Sequence, residues 1–237
     1  VALMMQEAMK NDTIREVVAS EESWIEVTGA DGSDHSHSMD THNVLLGQDG
    51  NIGGKTGTTD DAGYCFTSAY NRDGDEIYTV VLNSTTTDQR FTDTATLANW
   101  YYGHKVTVAI ANTQEKTANG NPLMARISQT DWTDKTIDAT LADPAAQATV
   151  FSLAGEVTEK VSYDDLSGTV HVGDKVGSVT LKQDGTKIAV MDLVADEEGT
   201  GPNPIEWLLV KLDRLGRRID NRPLTAESET VAKAPEV

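Results

Sequence analysis

One run of residues constrains the fold of this chain more than any other: Gly-Gly-Lys-Thr-Gly-Thr-Thr-Asp-Asp-Ala-Gly-Tyr at positions 53–64. A turn-rich segment precedes this run and a strand-like segment, 64–70, follows it. On an edge strand, the Lys55 ammonium is a point charge for a carboxylate, and the Thr56 hydroxyl adds a hydrogen bond. Gly57 has no side chain to block the approach. The pattern therefore predicts a strand along which an extended peptide pairs with the backbone.

The longer run Gly-Lys-Thr-Gly-Thr-Thr-x-x-Ala-Gly-Tyr, at 54–64, resembles the third active-site motif of the penicillin-recognising serine enzymes. Within that group it looks most like the D-alanyl-D-alanine carboxypeptidases that trim bacterial peptidoglycan. Asn-Val-Leu-Leu at 43–46 and Arg-Phe-Thr-Asp-Thr at 90–94 resemble two further segments of those enzymes. The resemblance covers residues 1–104, which correspond to the second half of the catalytic domain.

The resemblance implies a role for each residue of the motif. Lys55 would hold a proton relay and attract the terminal carboxylate of a peptidoglycan stem peptide that ends in D-Ala-D-Ala. The Thr56 hydroxyl would bind the same carboxylate, and the backbone N–H of Thr58 would form half of an oxyanion hole. Gly57 and Arg90 are implied as further substrate-binding residues. β-Lactams would bind at the same site, and neither a cofactor nor a metal is implied.

The other two motifs of these enzymes do not occur in the sequence. No serine is followed by a lysine three residues later, and no serine is followed by an asparagine two residues later. The nucleophile is therefore expected in an upstream fragment of the same protein, and this chain alone is predicted to be inactive. Residues 1–10 read as a helix without an N-terminal cap or an initiator methionine, which favours a fragment over a natural start.

Two alternative functions share parts of this pattern. A non-catalytic module that binds cell-wall peptide or scaffolds the envelope would need no nucleophile, and a β-lactamase shares the Lys-Thr-Gly motif. The long β-rich extension disfavours a β-lactamase, since those enzymes usually end after the closing helix. Part of a serine-type carboxypeptidase is the favoured hypothesis, and it predicts an upstream Ser-x-x-Lys. The binding module predicts no penicillin adduct even from the full gene product.

Periodicity and turn signals predict an α+β fold. The resemblance implies that residues 1–104 form the C-terminal part of a β-lactamase/transpeptidase-like domain. This part is expected to combine an antiparallel sheet with helices. The Asp-Gly pair at 73–74 predicts a hairpin between the strand segments 64–70 and 77–82. The other elements predicted here are helices at 1–10 and 14–19 (capped by Asp12 or Thr13), a strand at 23–28, a loop at 29–42, and a helix that starts at Thr87 or Asp88.

Residues 105–198 are predicted to form a small all-β sandwich, because short alternating segments are separated by Gly, Asp and Asn turns. Residues 199–237 are predicted to form an amphipathic helix followed by a flexible tail from Asn221. The strands predicted in the sandwich lie at 106–110, 148–151, 168–172, 175–181 and 186–191.

The amphipathic helix, Ile205 to Arg218, has two open interpretations. Its Trp, Leu and basic residues suit contact with an anionic membrane surface, as in C-terminal helices of related enzymes. The same pattern suits docking onto the protein's own domain. The apolar positions are Ile205, Trp207, Leu208, Leu209, Leu212 and Leu215, and the basic positions are Lys211, Arg214, Arg217 and Arg218.

The net charge of −19 argues against a nucleic-acid partner, whose binding depends on neutralising phosphates. It fits a protein kept soluble outside the cell. The resemblance implies the extracellular face of the bacterial cell envelope, with the protein either secreted or membrane-associated. No apolar run approaches the roughly 20 residues that a membrane-spanning helix needs. The three histidines within 29–42 do not have zinc-site spacing, so this segment is predicted to be solvated rather than a metal site.

Overall fold

A computed structural model describes residues 1–237 of the chain. It contains four sheets, and all of their strands pair in the antiparallel direction. Four helices accompany the sheets, so the predicted α+β class with antiparallel sheets is confirmed. The chain divides into two units, residues 1–103 and residues 104–237.

The first unit contains a three-stranded sheet, in the order β3-β4-β5, and a separate two-stranded sheet formed by β1 and β2. Strand β3 is therefore an edge of the larger sheet. The elements of this unit are α1 (Ala2–Ala8), α2 (Asp12–Val18), β1 (Glu22–Thr28), β2 (Asp34–Asp40), β3 (Asn51–Thr59), β4 (Gly63–Arg72), β5 (Asp75–Ser84) and α3 (Thr87–Gly103).

The hairpin between β4 and β5 follows directly from its turn sequence. Arg72 pairs with Asp75, which leaves Asp73 and Gly74 as a two-residue loop. Both loop residues have positive φ, 54° and 86°, the combination that a type I′ turn requires and that Asp-Gly supplies. The predicted hairpin is confirmed.

One bidentate ion pair connects helix α2 to this sheet. Arg15 donates from Nη1 and Nη2 to the two carboxylate oxygens of Glu76, at 3.0 and 2.9 Å. The Arg15 Nε also donates to the Met9 carbonyl at 3.0 Å. The hydrogen bonds from Arg15 and from the Tyr78 hydroxyl lower the pKa of Glu76, so this carboxylate stays ionised beside the guanidinium.

Two local predictions in this unit were wrong. The predicted loop at 29–42 contains β2, which pairs with β1 from Asp40 opposite Glu22 to Asp34 opposite Thr28. Every residue of β2 is exposed, so the segment lacks the apolar alternation that marks a strand in sequence. Helix α2 is capped by Asn11 rather than by Asp12 or Thr13, because the Asn11 Oδ1 accepts from the Ile14 N–H at 3.1 Å.

The second unit contains a six-stranded sheet, in the order β10-β11-β12-β8-β7-β13, and a two-stranded sheet formed by β6 and β9. Val150 of β9 shares one buried core with Leu181 and Leu193 of the larger sheet. The elements of this unit are β6 (Lys105–Ala109), β7 (Ala125–Ser128), β8 (Thr136–Leu141), β9 (Gln147–Phe151), β10 (Val157–Tyr163), β11 (Lys175–Gln183), β12 (Thr186–Ala195), α4 (Pro204–Ile219) and β13 (Glu229–Thr230).

Four of the five strands predicted in this unit are present, as β6, β9, β11 and β12. The strand predicted at 168–172 was wrong, because this segment makes a single isolated bridge between Val170 and Gly199. Gly168 and Gly173 have positive φ of 72° and 90°, so the chain turns at both ends of the segment. Strands β7, β8 and β10 were not predicted from the sequence.

The predicted flexible tail also needs correction. Strand β13 pairs with β7, with Glu229 opposite Arg126 and Thr230 opposite Ala125. Beyond it, Ala232 is buried, and its N–H donates to the Met124 carbonyl at 3.1 Å. A two-residue strand has too few positions to show an alternating pattern, so composition alone suggested a solvated tail.

Glu159 places a carboxyl group on the core-facing side of β10. It alternates with Val157 and Val161, which pack in or against the core, and neither of its carboxylate oxygens has a hydrogen-bond partner. Burial raises the pKa of Glu159 from 4.5 to about 6. The folded protein therefore holds this proton more tightly than the unfolded chain, and ionisation of Glu159 weakens the fold.

We predict that Glu159→Gln is more stable than the wild type above pH 6 and similar to it below pH 4.5. The wild type loses stability between these pH values, because Glu159 ionises at lower pH in the unfolded chain than in the folded protein. The gain is about 1 kcal/mol, since partial solvation screens the charge. Urea unfolding at about pH 4 and about pH 7.5 measures the difference. Glu156→Gln, an exposed neighbour, is the control. Identical stability of Glu159→Gln and wild type at both pH values contradicts the prediction.

Candidate functional site

The Gly-Lys-Thr-Gly-Thr-Thr run lies on β3, the edge strand of the three-stranded sheet. Strand β4 pairs with one side of β3, with Lys55 opposite Thr67 and Gly57 opposite Cys65. No strand pairs with the other side. An edge strand offers alternate N–H and C=O groups to an additional strand, so the backbone here is suited to an extended peptide.

Two buried asparagines fix the start of β3. The Asn43 Nδ2 donates to the Asn51 Oδ1 at 2.9 Å, and the same oxygen accepts from the Gly53 N–H at 3.2 Å. The Asn43 Oδ1 accepts from the Leu45 N–H at 3.1 Å. Asn43 and Asn51 are 4% and 2% exposed, so breaking these bonds would leave buried polar groups unpaired. The network joins the Asn-Val-Leu-Leu segment to the strand that carries the motif.

The Lys55 side chain is exposed and forms no ion pair with a carboxylate. Its ammonium donates to the neighbouring Thr56 carbonyl at 2.6 Å. An ammonium has three donors, so two remain for an incoming group. The positive charge of Lys55 is therefore available to an external anion.

A cavity of about 320 Å³ lies beside Lys55. Strand β3 lines it with Gly54, Lys55 and Thr56, and the segment before Asn43 adds Asp40 and His42. Sequence reasoning did not predict Asp40 or His42 as site residues. The signal for them was their position directly before Asn43, which anchors the start of β3.

Gly54 and Gly57 of β3 differ in whether the packing of the sheet requires a glycine at that position. A Cβ on Gly54 would lie 2.7 Å from the Phe66 ring and 2.7 Å from the Thr67 carbonyl oxygen, so packing within the sheet excludes a side chain. A Cβ on Gly57 would meet no heavy atom within 4 Å, and the φ of Gly57 is not positive. Nothing in the packing of this chain therefore requires glycine at position 57, whereas an approaching ligand would.

Arg90 is 7% exposed and lies next to the motif strand. Its Nη1 donates to the Thr58 Oγ1 at 3.3 Å, and its guanidinium carbon lies 4.7 Å from the centre of the Phe91 ring. A second ring, that of Tyr64, is 5.9 Å away. These aromatic faces stabilise a cation that has no carboxylate partner. The structure thus brings Arg90 to Thr58, and direct contact of Arg90 with substrate stays a prediction.

The five predicted site residues fall into two connected groups. Lys55 and Thr56 line the cavity. Thr58 contacts Arg90 through its hydroxyl, and Gly57 lies between the two groups on the strand. A cation, hydroxyls and edge-strand N–H groups along one open strand can together hold an anionic, extended ligand.

The histidines of the segment 29–42 do not gather into a metal site. His35 and His37 lie on β2 with ring centres 6.5 Å apart, and His42 lines the cavity beside Lys55. The structure contains no group of three or more His, Cys, Asp or Glu side chains placed to hold a metal ion. None of the helices has both the length and the apolar character needed to cross a membrane.

Residues 1–86 match the family model described as D-alanyl-D-alanine carboxypeptidase. Over these residues the chain is similar to the D-alanyl-D-alanine carboxypeptidases, and the predicted resemblance is confirmed. The match includes all of β3 and ends before Arg90. A comparison with curated proteins finds no match.

Several solved structures are similar to parts of the chain. The Streptomyces K15 DD-transpeptidase is 32% identical over 41% of this chain and 38% of its own, with a TM-score of 0.39. A D-alanyl-D-alanine carboxypeptidase from Francisella tularensis is 22% identical over 72% of this chain and 41% of its own (TM-score 0.35). Penicillin binding protein 5 from Haemophilus influenzae is 16% identical over 84% of this chain and 55% of its own (TM-score 0.40).

These TM-scores are too low to establish a common overall fold, so the similarity to the carboxypeptidase family is established for residues 1–86. The chain spans 38% of the length of the Streptomyces transpeptidase it matches.

The two glycines give a direct test of this description of β3. We predict that Gly54→Ala loses about 1–3 kcal/mol of stability, because its Cβ would overlap Phe66 and the Thr67 backbone. Gly57→Ala should lie within about 0.5 kcal/mol of wild type or gain slightly, since its Cβ enters open space. Urea unfolding of both variants measures this. Equal losses in the two variants would show that packing, and not ligand access, requires Gly57.

Proposed function

We propose that this chain is part of a serine-type D-Ala-D-Ala carboxypeptidase, which removes the terminal D-alanine from peptidoglycan stem peptides through an acyl-enzyme. The observation that carries this proposal is the Gly-Lys-Thr-Gly-Thr-Thr run on an exposed edge strand, inside the residues that match the carboxypeptidase family model. The open space above Gly57 supports it, because a ligand that pairs with β3 needs that space.

In this proposal the substrate lies along β3 as an added strand. The Lys55 ammonium attracts the terminal carboxylate of the peptide and exchanges its contact with the Thr56 carbonyl for that carboxylate. The Thr56 hydroxyl donates to the same carboxylate, and Gly57 keeps the approach open. The Thr58 N–H donates to the oxygen that becomes negative when the peptide carbonyl is attacked.

Arg90 assists the site mainly through Thr58. Its guanidinium is mostly buried and donates to the Thr58 hydroxyl, so it restricts the residue whose N–H must point at the oxyanion. Its charge has no carboxylate partner and also adds positive potential for an anionic substrate. Arg90 belongs to the substrate-binding group in this sense.

The nucleophile is proposed to come from an upstream Ser-x-x-Lys segment of the same protein. Its serine hydroxyl attacks the carbonyl carbon of the penultimate D-alanine, the peptide bond breaks and D-alanine leaves with a proton. Water then hydrolyses the ester and regenerates the serine. A β-lactam acylates the same serine. Without that segment, residues 1–237 bind but do not react.

The enzyme is proposed to work on the extracellular face of the bacterial cell envelope, with helix α4 in contact with the membrane surface. The apolar side of α4 supports this contact rather than docking onto the protein's own domain, because its side chains are 55–79% exposed. These side chains are Ile205, Leu208, Leu209, Leu212, Leu215 and Ile219.

Kinetics of the full gene product test the proposal. We predict that it releases D-alanine from a peptide ending in D-Ala-D-Ala and is acylated by a fluorescent penicillin. Lys55→Ala should slow both reactions by about 100-fold or more, since an anion-binding group of the site is lost. Lys182→Ala, which removes an exposed cation on β11, should leave both rates unchanged.

Two outcomes would overturn the proposal. A full gene product that is never acylated would indicate a non-catalytic binding module. Rapid hydrolysis of penicillin without release of D-alanine would indicate a β-lactamase. Equal rates in Lys55→Ala and wild type would remove Lys55 from the site.

A further inference from the structure

Three cations of helix α4 line a second cavity, of about 500 Å³, in the unit formed by residues 104–237. We call it the α4 cavity. Its basic residues are Lys211, Arg214 and Arg218, and the rest of its lining includes Thr130 and Thr225. The chain has 38 acidic and 19 basic residues, so a cavity lined by three cations and no carboxylate is unusual for its composition.

Ion pairing within the chain does not account for these three cations. None of them forms a salt bridge, although other arginines in the same region do: Arg217 pairs with Asp213 at 2.7 Å and Arg222 pairs with Asp220 at 2.9 Å. Asp213 and Asp220 are thus engaged by arginines outside the cavity lining. The positive charge of the α4 cavity is not neutralised by the protein.

The helix dipole does not explain the positions of all three cations either. Basic side chains near a helix C-terminus are favourable, but the effect falls off within the last turn. Arg218 lies in the last turn of α4, which ends at Ile219, whereas Lys211 and Arg214 lie more than one turn earlier. Two of the three cations therefore need another reason for their position.

The contacts of Arg214 hold it at the wall of the cavity. Its Nη2 donates to the carbonyl of Thr130 at 2.5 Å and to the carbonyl of Trp132 at 3.4 Å. Its Nε is buried and has no hydrogen-bond partner. Lys211 is held in a second way, with its ammonium 4.8 Å from the centre of the Trp207 ring. Two of the cations are therefore positioned before any ligand arrives.

We propose that the α4 cavity binds a phosphate-type anion. Guanidinium and ammonium groups are the usual partners of phosphate oxygens, and arginine binds them with two parallel N–H donors. The volume accommodates a phosphate that carries a small organic group. Leu215 lines the same cavity and belongs to the exposed apolar side of α4. A lipid headgroup is therefore one source of this anion, a source that rests on the membrane contact proposed above for α4, and free phosphate is the other.

The variant that tests the site is Lys211→Gln combined with Arg218→Gln. Both side chains are exposed, whereas Arg214 also supports the fold through Thr130 and is left intact. The matched control is Lys182→Gln combined with Lys187→Gln, two exposed cations of β11 and β12. The control changes the net charge by the same amount.

Two measurements on the full chain separate the two sources of the anion. Co-sedimentation compares vesicles of phosphatidylcholine alone with vesicles that also contain phosphatidylglycerol. NMR titration with inorganic phosphate follows the amides of Thr130, Lys211, Arg214, Arg218 and Thr225. We expect both ligands to bind wild type, and the Lys211/Arg218 variant to weaken binding by about 10-fold or more. The control pair should weaken it less than about twofold.

Each outcome decides the proposal. Binding of inorganic phosphate at these amides without preference for phosphatidylglycerol supports the site and identifies free phosphate as its source. Preference for phosphatidylglycerol that depends on Lys211 and Arg218 supports the site and identifies a lipid headgroup. The proposal is overturned if neither ligand binds, if both pairs of substitutions weaken binding equally, or if vesicles bind regardless of their charge and of these substitutions.

Discussion

The unpaired side of β3 determines how the candidate site can bind a ligand. The strand carries its motif on an edge because β4 is its one neighbour and the sheet ends there. Asn43 and Asn51 fix where the strand begins, and Arg90 contacts it near its far end through Thr58. An exposed edge with unpaired backbone groups invites aggregation unless something covers it. Pairing of this edge with an extended ligand is a physical reason for the edge to stay exposed.

The position of the motif on a strand that is open to an extended peptide could be predicted from sequence, because the pattern is local. A lysine, a small hydroxyl residue and a glycine in consecutive positions restrict the strand and its possible ligands within a few residues, and the Asp73-Gly74 turn fixes the hairpin behind it. The contact between Arg90 and Thr58 could not be predicted, since it joins residues 32 positions apart. Asp40 and His42 were missed for the same reason, because the cavity that they line exists only in three dimensions.

Strands that lack hydrophobic alternation could not be predicted from the sequence. Strand β2 is exposed at every residue, and β13 has two residues, so neither carries a pattern. The periodicity of α4 did predict a helix but not the direction of its apolar side. Val210 is the buried residue of α4, and Arg214 donates to the carbonyl of Thr130, 84 positions earlier in the chain. A helical pattern does not contain a hydrogen bond of such long range.

We propose that this chain supplies the anion-binding wall of an acyl-transfer site and not its nucleophile. Peptide mapping by mass spectrometry after treatment of the full gene product with a penicillin tests this claim most directly. We expect a drug adduct on a serine that is followed by a lysine three residues later, outside the 237 residues of this chain. An adduct on Ser20 or Ser23, the serines that line the cavity beside Lys55, would contradict it.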